Sequence, residues 1–558
     1  MGETTQKPKP KKGPGLMLAA IIVIVILLIG GLAYVFMAGG GEKGPQVIVF
    51  YAATEVLSLD PMDAYDTMSF IPIQNMYDTL ITYPGVDIGN YTGCLATSWT
   101  VSDDGMYYNF TLREGVKFSN GNTFNASDVK FSIERVLQMD SPDTGVAWIL
   151  SQDVDLDSCT IIDAYHVSIK LTFPYAGFLA TIAQPFPLAI MDEEFTRAHY
   201  SVADPYAHDF MKYNVMGTGP FKLESWEPGV QTVMNRSANY WGGWSGKHPD
   251  QIIIKEISEP ATRVAALKSG DATIAEIPYS NVPDVANDNN IVVDPVKTFQ
   301  MELIAMCVNT TRDSPSNDHS FMQDAGVRQA LSYAFDYANT SQLYYAGYMD
   351  PVQGPIPNGM PYETQSQPSK AFTFDLNMAS QLLNDSGFTL NGQGERFGGV
   401  AMDIYVDVGD TERAQTATLY KTNLNRIGIS VNLQTVTSTV LESVRLTRNW
   451  DMYFTGWVID YLDPDDYVLP IAASWDSGGD YFFTGISNPT IDEAAWAASQ
   501  TIVPAARIQN YTVVWEQLNL DPNMIFVGQT RYVAFYRADL KDFEFNPVTW
   551  YNFYGYHF

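Results

Sequence analysis

The sequence predicts an α/β protein of two or three domains, and three observations carry that prediction. Short β-branched or aromatic runs alternate with helical patterns along most of the chain. MDIYVDV (402–408), TERAQTATLYKTNLNRIG (411–428) and ISVNLQTV (429–436) read as strand, helix and strand, the signature of a parallel crossover. A length of 558 residues exceeds one core, and a 46% hydrophobic share with 31 Pro and 41 Gly is that of a folded chain.

The N-terminus stands apart. Lys7, Lys9, Lys11 and Lys12 precede LMLAAIIVIVILLIGGLAYVFM (16–37), a run without charge. As a helix, that run is long enough for a bilayer core of about 30 Å. A cleaved signal peptide is the competing reading, but its apolar region is only about 7–15 residues long. The expectation is therefore a basic cytoplasmic segment (1–15), a transmembrane anchor (16–38) and a Gly-rich linker (39–45). Lysines ahead of the span keep the N-terminus inside, which places residues 46–558 outside the cell as a single-pass membrane protein.

The elements come in order along the chain. VIVFYA (47–52) is a buried strand, and PIQNMYDTLITY (72–83) a helix with Pro72 in its first turn. SWTVSDDGMYYNFTL (98–112) is a hairpin turning at Asp104-Gly105. NASDVKFSIERVLQM (125–139) is a helix that Ser127 can cap, with Val129, Ile133, Val136 and Leu137 on its buried face. HVSIKLTF (166–173), FKLESWEPG (221–229) and QIIIKEI (251–257) are strands. PATRVAALKSG (260–270) is a helix ended by Gly270. AGVRQALSYAFDYANTSQLYY (325–345) and FDLNMASQLLNDSG (374–387) are amphipathic helices, and MYFTGW (452–457) is a strand.

Composition and motifs limit the chemistry. A net charge of −31 argues against a nucleic-acid partner. Cys94, Cys159 and Cys307 are too few for a disulfide scaffold and read as buried thiols. Eight Asn-x-Ser/Thr sequons permit glycosylation outside the cell. WGGWSGKH (241–248) lacks the glycine and hydroxyl spacing of a phosphate loop, and Gly392, Gly394 and Gly398 miss the dinucleotide spacing. Asp463-Pro464-Asp465-Asp466 cannot open a helix–loop–helix calcium site, because Val468 and Ser474 stand where Gly and Glu are needed. No metal site, cofactor or catalytic motif emerges, although a two-carboxylate hydrolase leaves no sequence signature of its own.

One stretch, GWVIDYLDPDD (456–466), gathers Asp460, Asp463, Asp465 and Asp466 among Trp457, Tyr461 and Leu462. It closes a series of segments that occur in a fixed order: LSLDPMDAYDTMSFIPIQNMYDTLITY (57–83), LATSWTVSDDGMYYNFTLREGVKFSNGNTFNASDVKFSIERV (95–136), GTGPFKLESWEPG (217–229), NRSANYWGG (235–243), VRQALSYAFDY (327–337) and GWVIDYLDPDDY (456–467). Over residues 46–558 the chain resembles the oligopeptide/dipeptide class of extracellular solute-binding proteins, family 5, which feed ABC transporters. That resemblance implies a two-lobed periplasmic-binding-protein-like fold (class II, cluster C) with an extra domain inserted in the first lobe. Lobe I would comprise 46–80, 215–298 and 525–558, the insertion 81–214 and lobe II 299–524.

The resemblance also implies a function and a site. The chain would capture peptides in a closing cleft and pass them to ABC permease and ATPase subunits, as a monomeric ectodomain without enzymatic activity. Asp460 would hold the ligand's α-ammonium, Gly456 and Val458 would run beside the ligand as a strand, and Trp457 and Tyr461 would wall the cleft. Asp463, Asp465 and Asp466 would form a solvated turn set by Pro464. Arg445 and Arg448 offer guanidinium groups to a ligand carboxylate, but no motif assigns them. An oligosaccharide ligand is the alternative, since aromatic residues make up 13% of the chain; a secreted hydrolase or a surface sensor stands behind it.

Overall fold

The alternating run VIVFYA gives β1 (Val47–Ala52), in which Ile48, Phe50 and Ala52 are fully buried. The computed structural model describes residues 45–139, 146–308, 313–314, 317–366 and 372–558. The predicted anchor and its basic leader lie outside the described residues. Among the described residues no helix is long and apolar enough to cross a membrane.

Two departures from the predicted helix starts have clear causes. The first helix, α1 (Thr67–Met76), begins five residues before Pro72, because Asp66 caps it by accepting hydrogen bonds from the amides of Met68 (3.1 Å) and Ser69 (2.8 Å). The 98–112 segment forms the predicted hairpin as β2 (Ala96–Val101) and β3 (Tyr107–Leu112). Next comes α2 (Ala126–Gln138), whose cap is Asn125 rather than Ser127. Asp128 reaches back to the Asn125 amide at 2.9 Å and completes a capping box.

With β4 (Cys159–Asp163) and β5 (His166–Lys170), the hairpin makes a separate four-stranded sheet in the order β2-β3-β5-β4. Tyr108, Phe110 and Leu112 on one strand and Val167 and Ile169 on its neighbour point to the same buried side. The salt bridge between Arg135 of α2 and Asp60 ties this sheet's layer to the segment after β1. Both residues are fully buried, and the fork closes at 2.8 and 2.6 Å.

The large sheet has eleven strands. Its first half comes from β1, β6 (Phe221–Glu227), β7 (Gln231–Arg236), β8 (Gln251–Glu256) and, after helix α3 (Pro260–Ser269), β9 (Ile274–Ala275). Gly270 ends α3 at φ +86°, as its position predicts. A sixteen-residue strand, β10 (Ile291–Met306), then leads into the other half.

There the predicted 325–345 helix is two helices, α4 (Ala325–Tyr333) and α5 (Tyr337–Tyr344). Asp336 interrupts them by capping α5 through the Asn339 amide. After β11 (Met349–Asp350) and α6 (Leu376–Asp385), the strand–helix–strand unit appears as read: β12 (Met402–Asp407), α7 (Thr411–Arg426) and β13 (Val431–Val436), with β12 and β13 parallel. Next come α8 (Ser438–Thr447), β14 (Met452–Trp457), α9 (Asp465–Ala472), α10 (Pro489–Ser499), α11 (Pro504–Leu520) and the long β15 (Met524–Arg537).

The strand order β13-β12-β14-β10-β15-β9-β1-β8-β7-β6 places the two long strands in the middle, with β11 also pairing to β15. β10 and β15 run antiparallel from Ile291↔Arg537, beside β9, to Ala305↔Met524, beside β14. Their register shifts between Lys297 and Met301, where the pair passes from one half to the other. Cys94, Cys159 and Cys307 are buried thiols outside any disulfide, as expected.

Candidate functional site

The two halves and the 81–214 segment meet around a cavity of about 370 Å³, within the usual range for small-ligand sites. Three features build its walls. The cap at Asp66 fixes the start of α1 and with it Tyr65, whose hydroxyl donates to Asp460 Oδ2 at 2.7 Å across 395 residues of sequence. β14 delivers Thr455, Gly456 and Trp457 to the cavity, and Val458, Ile459 and Asp460 continue the lining. Aromatic rings close both flanks. Phe70 stands 4.9 Å from Phe186 and 6.0 Å from Trp550, and Trp457 stands 5.1 Å from Tyr481 and 5.7 Å from Phe482.

The edge of β14 is open where it lines the cavity. β12 pairs with β14 only at Met452 and Tyr453, while β10 pairs with it along its whole length. From Phe454 to Trp457 no strand among the described residues covers the side that would have faced β12, so backbone groups there are placed to receive an extended chain. Gly456 cannot carry a side chain. A Cβ would sit 2.8 Å from the Met301 carbonyl oxygen and collide with the Arg413 guanidinium. That guanidinium pairs with Glu302 at 2.7 Å and Asp410 at 3.3 Å behind the strand.

Of the five residues expected to touch ligand, Gly456, Trp457, Val458 and Asp460 line this one cavity. Tyr461 does not. It is 1% exposed and lies outside the cavity lining, in the electrostatic reach of Asp465 and Asp466. Arg445 is at the cavity as well, whereas Arg448 pairs with Asp480 away from it. Reasoning on the sequence missed Tyr65, Asp66, Phe70, Phe186, Asp407 and Trp550. Their only sequence signal is Tyr65-Asp66 ahead of a helical run, an N-cap pattern that says nothing of a partner at Asp460.

The acidic turn is not solvated. Asp463 is 5% exposed, and Asp465 and Asp466 are fully buried. Arg507, on α11, explains the first. Its fork grips Asp463, with Nη1 to Oδ2 at 2.8 Å, so that burial, which pushes the carboxyl up, is overridden and Asp463 titrates below the usual range. Among the described residues Asp465 has no hydrogen-bond partner for either carboxylate oxygen. Burial first, and then the charge of Asp463, push its carboxyl well up. Asp466 is raised likewise by burial and by Asp460, while its Oδ2 accepts from the Asp460 amide at 3.1 Å.

Asp460 itself, walled by rings, is pushed up to about 7 by burial, against the lowering pull of the Tyr65 hydrogen bond. A desolvated carboxylate near neutrality gains strongly from a cation brought into the cavity. Elsewhere, His319, Asp403 and Asp451 place possible ligand atoms within 4.8 Å of one another. They already bind each other, since His319 Nδ1 stands 2.8 Å from Asp451 Oδ2, which also accepts from the Asp403 amide.

Known proteins share this architecture. The glutathione-binding protein GsiB of Salmonella typhi is 25% identical over 519 residues, covering 91% of this chain and 93% of its own. The structure of DppA from Helicobacter pylori in complex with the peptide STSA superposes with a TM-score of 0.77 at 22% identity, covering 92% of this chain and 98% of that one. A dipeptide-binding protein from Pseudoalteromonas sp. SM9913 in complex with Met-Leu gives 0.78 at 21% identity, covering 92% and 100%. These neighbours share the two-lobed α/β fold of periplasmic binding proteins. Residues 90–479 match the profile described as "Bacterial extracellular solute-binding proteins, family 5 Middle". On that match, over more than half its length, the chain belongs to the family 5 extracellular solute-binding proteins, a family of substrate-binding proteins and not of enzymes.

Proposed function

We propose that this protein is the extracellular substrate-binding subunit of an ABC transporter, that it captures peptides by their α-ammonium and backbone, and that it delivers them to permease and ATPase subunits. The observation that carries the reading is the pairing of Asp460 with the open edge of β14 inside one aromatic-walled cavity. Among the described residues the Asp460 carboxylate meets no cation and one edge of β14 has no partner strand from Phe454 to Trp457, and a free peptide N-terminus in extended conformation would satisfy both. GsiB, DppA and the Met-Leu protein carry glutathione or peptides in their names, which supports the same ligand class here.

On this reading lobe I comprises 46–80, 215–298 and 525–558, the insertion 81–214 and lobe II 299–524. The β10/β15 crossing is the hinge on which they close. Segment 16–38 is an uncut membrane anchor that holds a monomeric ectodomain outside the cell. Gly456, Trp457, Val458 and Asp460 contact the ligand.

Calorimetry on four combinations tests the reading: wild type and Asp460→Asn, each with a tripeptide and its N-acetyl form. Removing a desolvated charge-assisted bond costs about 2–4 kcal/mol, or roughly 30- to 1,000-fold in affinity. N-acetylation should weaken wild type to that extent and the variant hardly at all. An oligosaccharide that binds tightly and ignores Asp460→Asn would end the peptide reading.

A further inference from the structure

We infer that the cavity selects peptides carrying a basic side chain in addition to the α-ammonium; this rests on the peptide reading and specifies its ligand. The charged groups lining the cavity are Asp66, Asp407, Glu442, Asp460 and Arg445. All but one are acids, and the one base is already occupied. The Arg445 side chain is only 13% exposed. Its Nε pairs with Glu442, its Nη1 donates to the Tyr481 carbonyl at 2.7 Å, and the guanidinium lies over the rings of Tyr481 (4.9 Å) and Phe483 (5.1 Å). Arg413, behind Gly456, is held by Glu302 and Asp410 and does not line the cavity.

Once Glu442 and Arg445 have neutralised each other, Asp66, Asp407 and Asp460 remain. One oxygen of Asp66 serves the α1 amides and one of Asp407 accepts from the Gly409 amide at 2.7 Å. Neither interaction brings a positive charge to the carboxylate, and both carboxylates line the cavity. A single α-ammonium on Asp460 would leave two carboxylates without a counter-charge in a cavity walled by aromatic rings. An acidic peptide would add a third negative group where the one lining base is already taken. A lysine or arginine side chain resolves the imbalance, and it does so at Asp407, the last residue of β12. The general acidity of the chain does not account for this, because these three carboxylates converge on one cavity with aromatic walls, where their like charges act together on a single bound ligand.

Titration of the full-length protein with Ala-Lys-Ala, Ala-Ala-Ala, Ala-Glu-Ala and spermidine reads the inference. Ala-Lys-Ala should bind about tenfold tighter than Ala-Ala-Ala, and Ala-Glu-Ala about tenfold weaker, the scale of one added ion pair or repulsion in a partly desolvated site. Asp407→Asn should shrink the Lys-to-Ala ratio about threefold or more, a ratio that any general folding defect would leave alone because it affects both peptides equally. Equal affinities for the three peptides, or preference for Ala-Glu-Ala, overturn the inference. If those peptides nonetheless lose affinity on N-acetylation, the peptide reading survives that failure. Spermidine binding tighter than every peptide overturns both.

Discussion

At Asp460 the burial that, on the proposed reading, strengthens its pairing with an ammonium also makes the residue sensitive to pH. Its carboxyl titrates near 7 because water is excluded around it, so in the empty protein it takes up a proton as pH falls below that value. An incoming ammonium favours the ionised form. Affinity for a peptide with a free N-terminus should therefore be flat from about pH 7 to 7.5. It should fall toward about tenfold per unit as pH drops below 7, and fall again above about 8 as the ligand amine loses its proton. Asp460→Asn should abolish the acid limb, and an acid limb that persists in the variant would assign it to another group.

Asp465 answers to the same physics with the opposite purpose. Its unpartnered, fully buried carboxyl is raised well above the usual range, so the folded state holds a proton that the unfolded chain releases near about pH 4. A carboxyl raised on folding contributes stability below its unfolded pKa and loses it as pH rises toward the folded one. The stability of Asp465→Asn relative to wild type should then rise with pH above about 4, toward about 1.4 kcal/mol per pH unit, until the folded carboxyl itself ionises, read by chemical denaturation. A pH-independent difference would mean that Asp465 is ionised in the fold. Arg507→Met, which leaves Asp463 buried without its counter-charge, should cost about 3–5 kcal/mol.

Among the elements, those whose pattern is set within a few residues were legible in the sequence, and those that depend on distant partners were not. The crossover at 402–436, the hairpin at Asp104-Gly105 and the Gly270 stop all arise from local periodicity and backbone preference. The start of α1 was misplaced because Pro72 looked like a first-turn proline, whereas the Asp66 cap lies six residues earlier. Asn125 and Ser127 both have capping side chains, and only the reciprocal bond from Asp128 decides between them. Asn125→Ala should cost about 1 kcal/mol of stability and Ser127→Ala only a few tenths, measured by urea unfolding. The reverse order would refute the assigned cap.

The acidic turn was misread for a related reason. Four carboxylates around a proline look like a solvated loop, and nothing within 456–466 discloses that Arg507 arrives from α11 to bury one of them. Within the site, the resemblance pointed to the strand end at Gly456 to Asp460, which the structure places on one cavity. The opposing wall comes from residues 65–70, 186 and 550, and the sequence has no way to announce contacts across such separations.

At the scale of the whole molecule, the decisive question is whether binding belongs wholly to the chain beyond the apolar N-terminal run. Residues 47–558 form one compact unit that contains both long crossing strands and, among the described residues, every residue lining the cavity. The lining begins at Tyr65 and ends at Trp550, so on the proposed reading the anchor contributes position and not chemistry. Residues 46–558 produced alone should therefore be soluble and monomeric by light scattering, and should bind ligand within about twofold of the full chain, a difference under about 0.5 kcal/mol. The full chain should stay with membranes through an alkaline carbonate wash and release its ectodomain to protease added outside intact cells. If the ectodomain were instead recovered free in the medium with a new N-terminus near Ala38, the run is a cleaved signal and the anchor proposal fails. Aggregation of 46–558 would count against an independent fold. A loss of affinity of about tenfold in the soluble form would mean that residues before 46 shape the site.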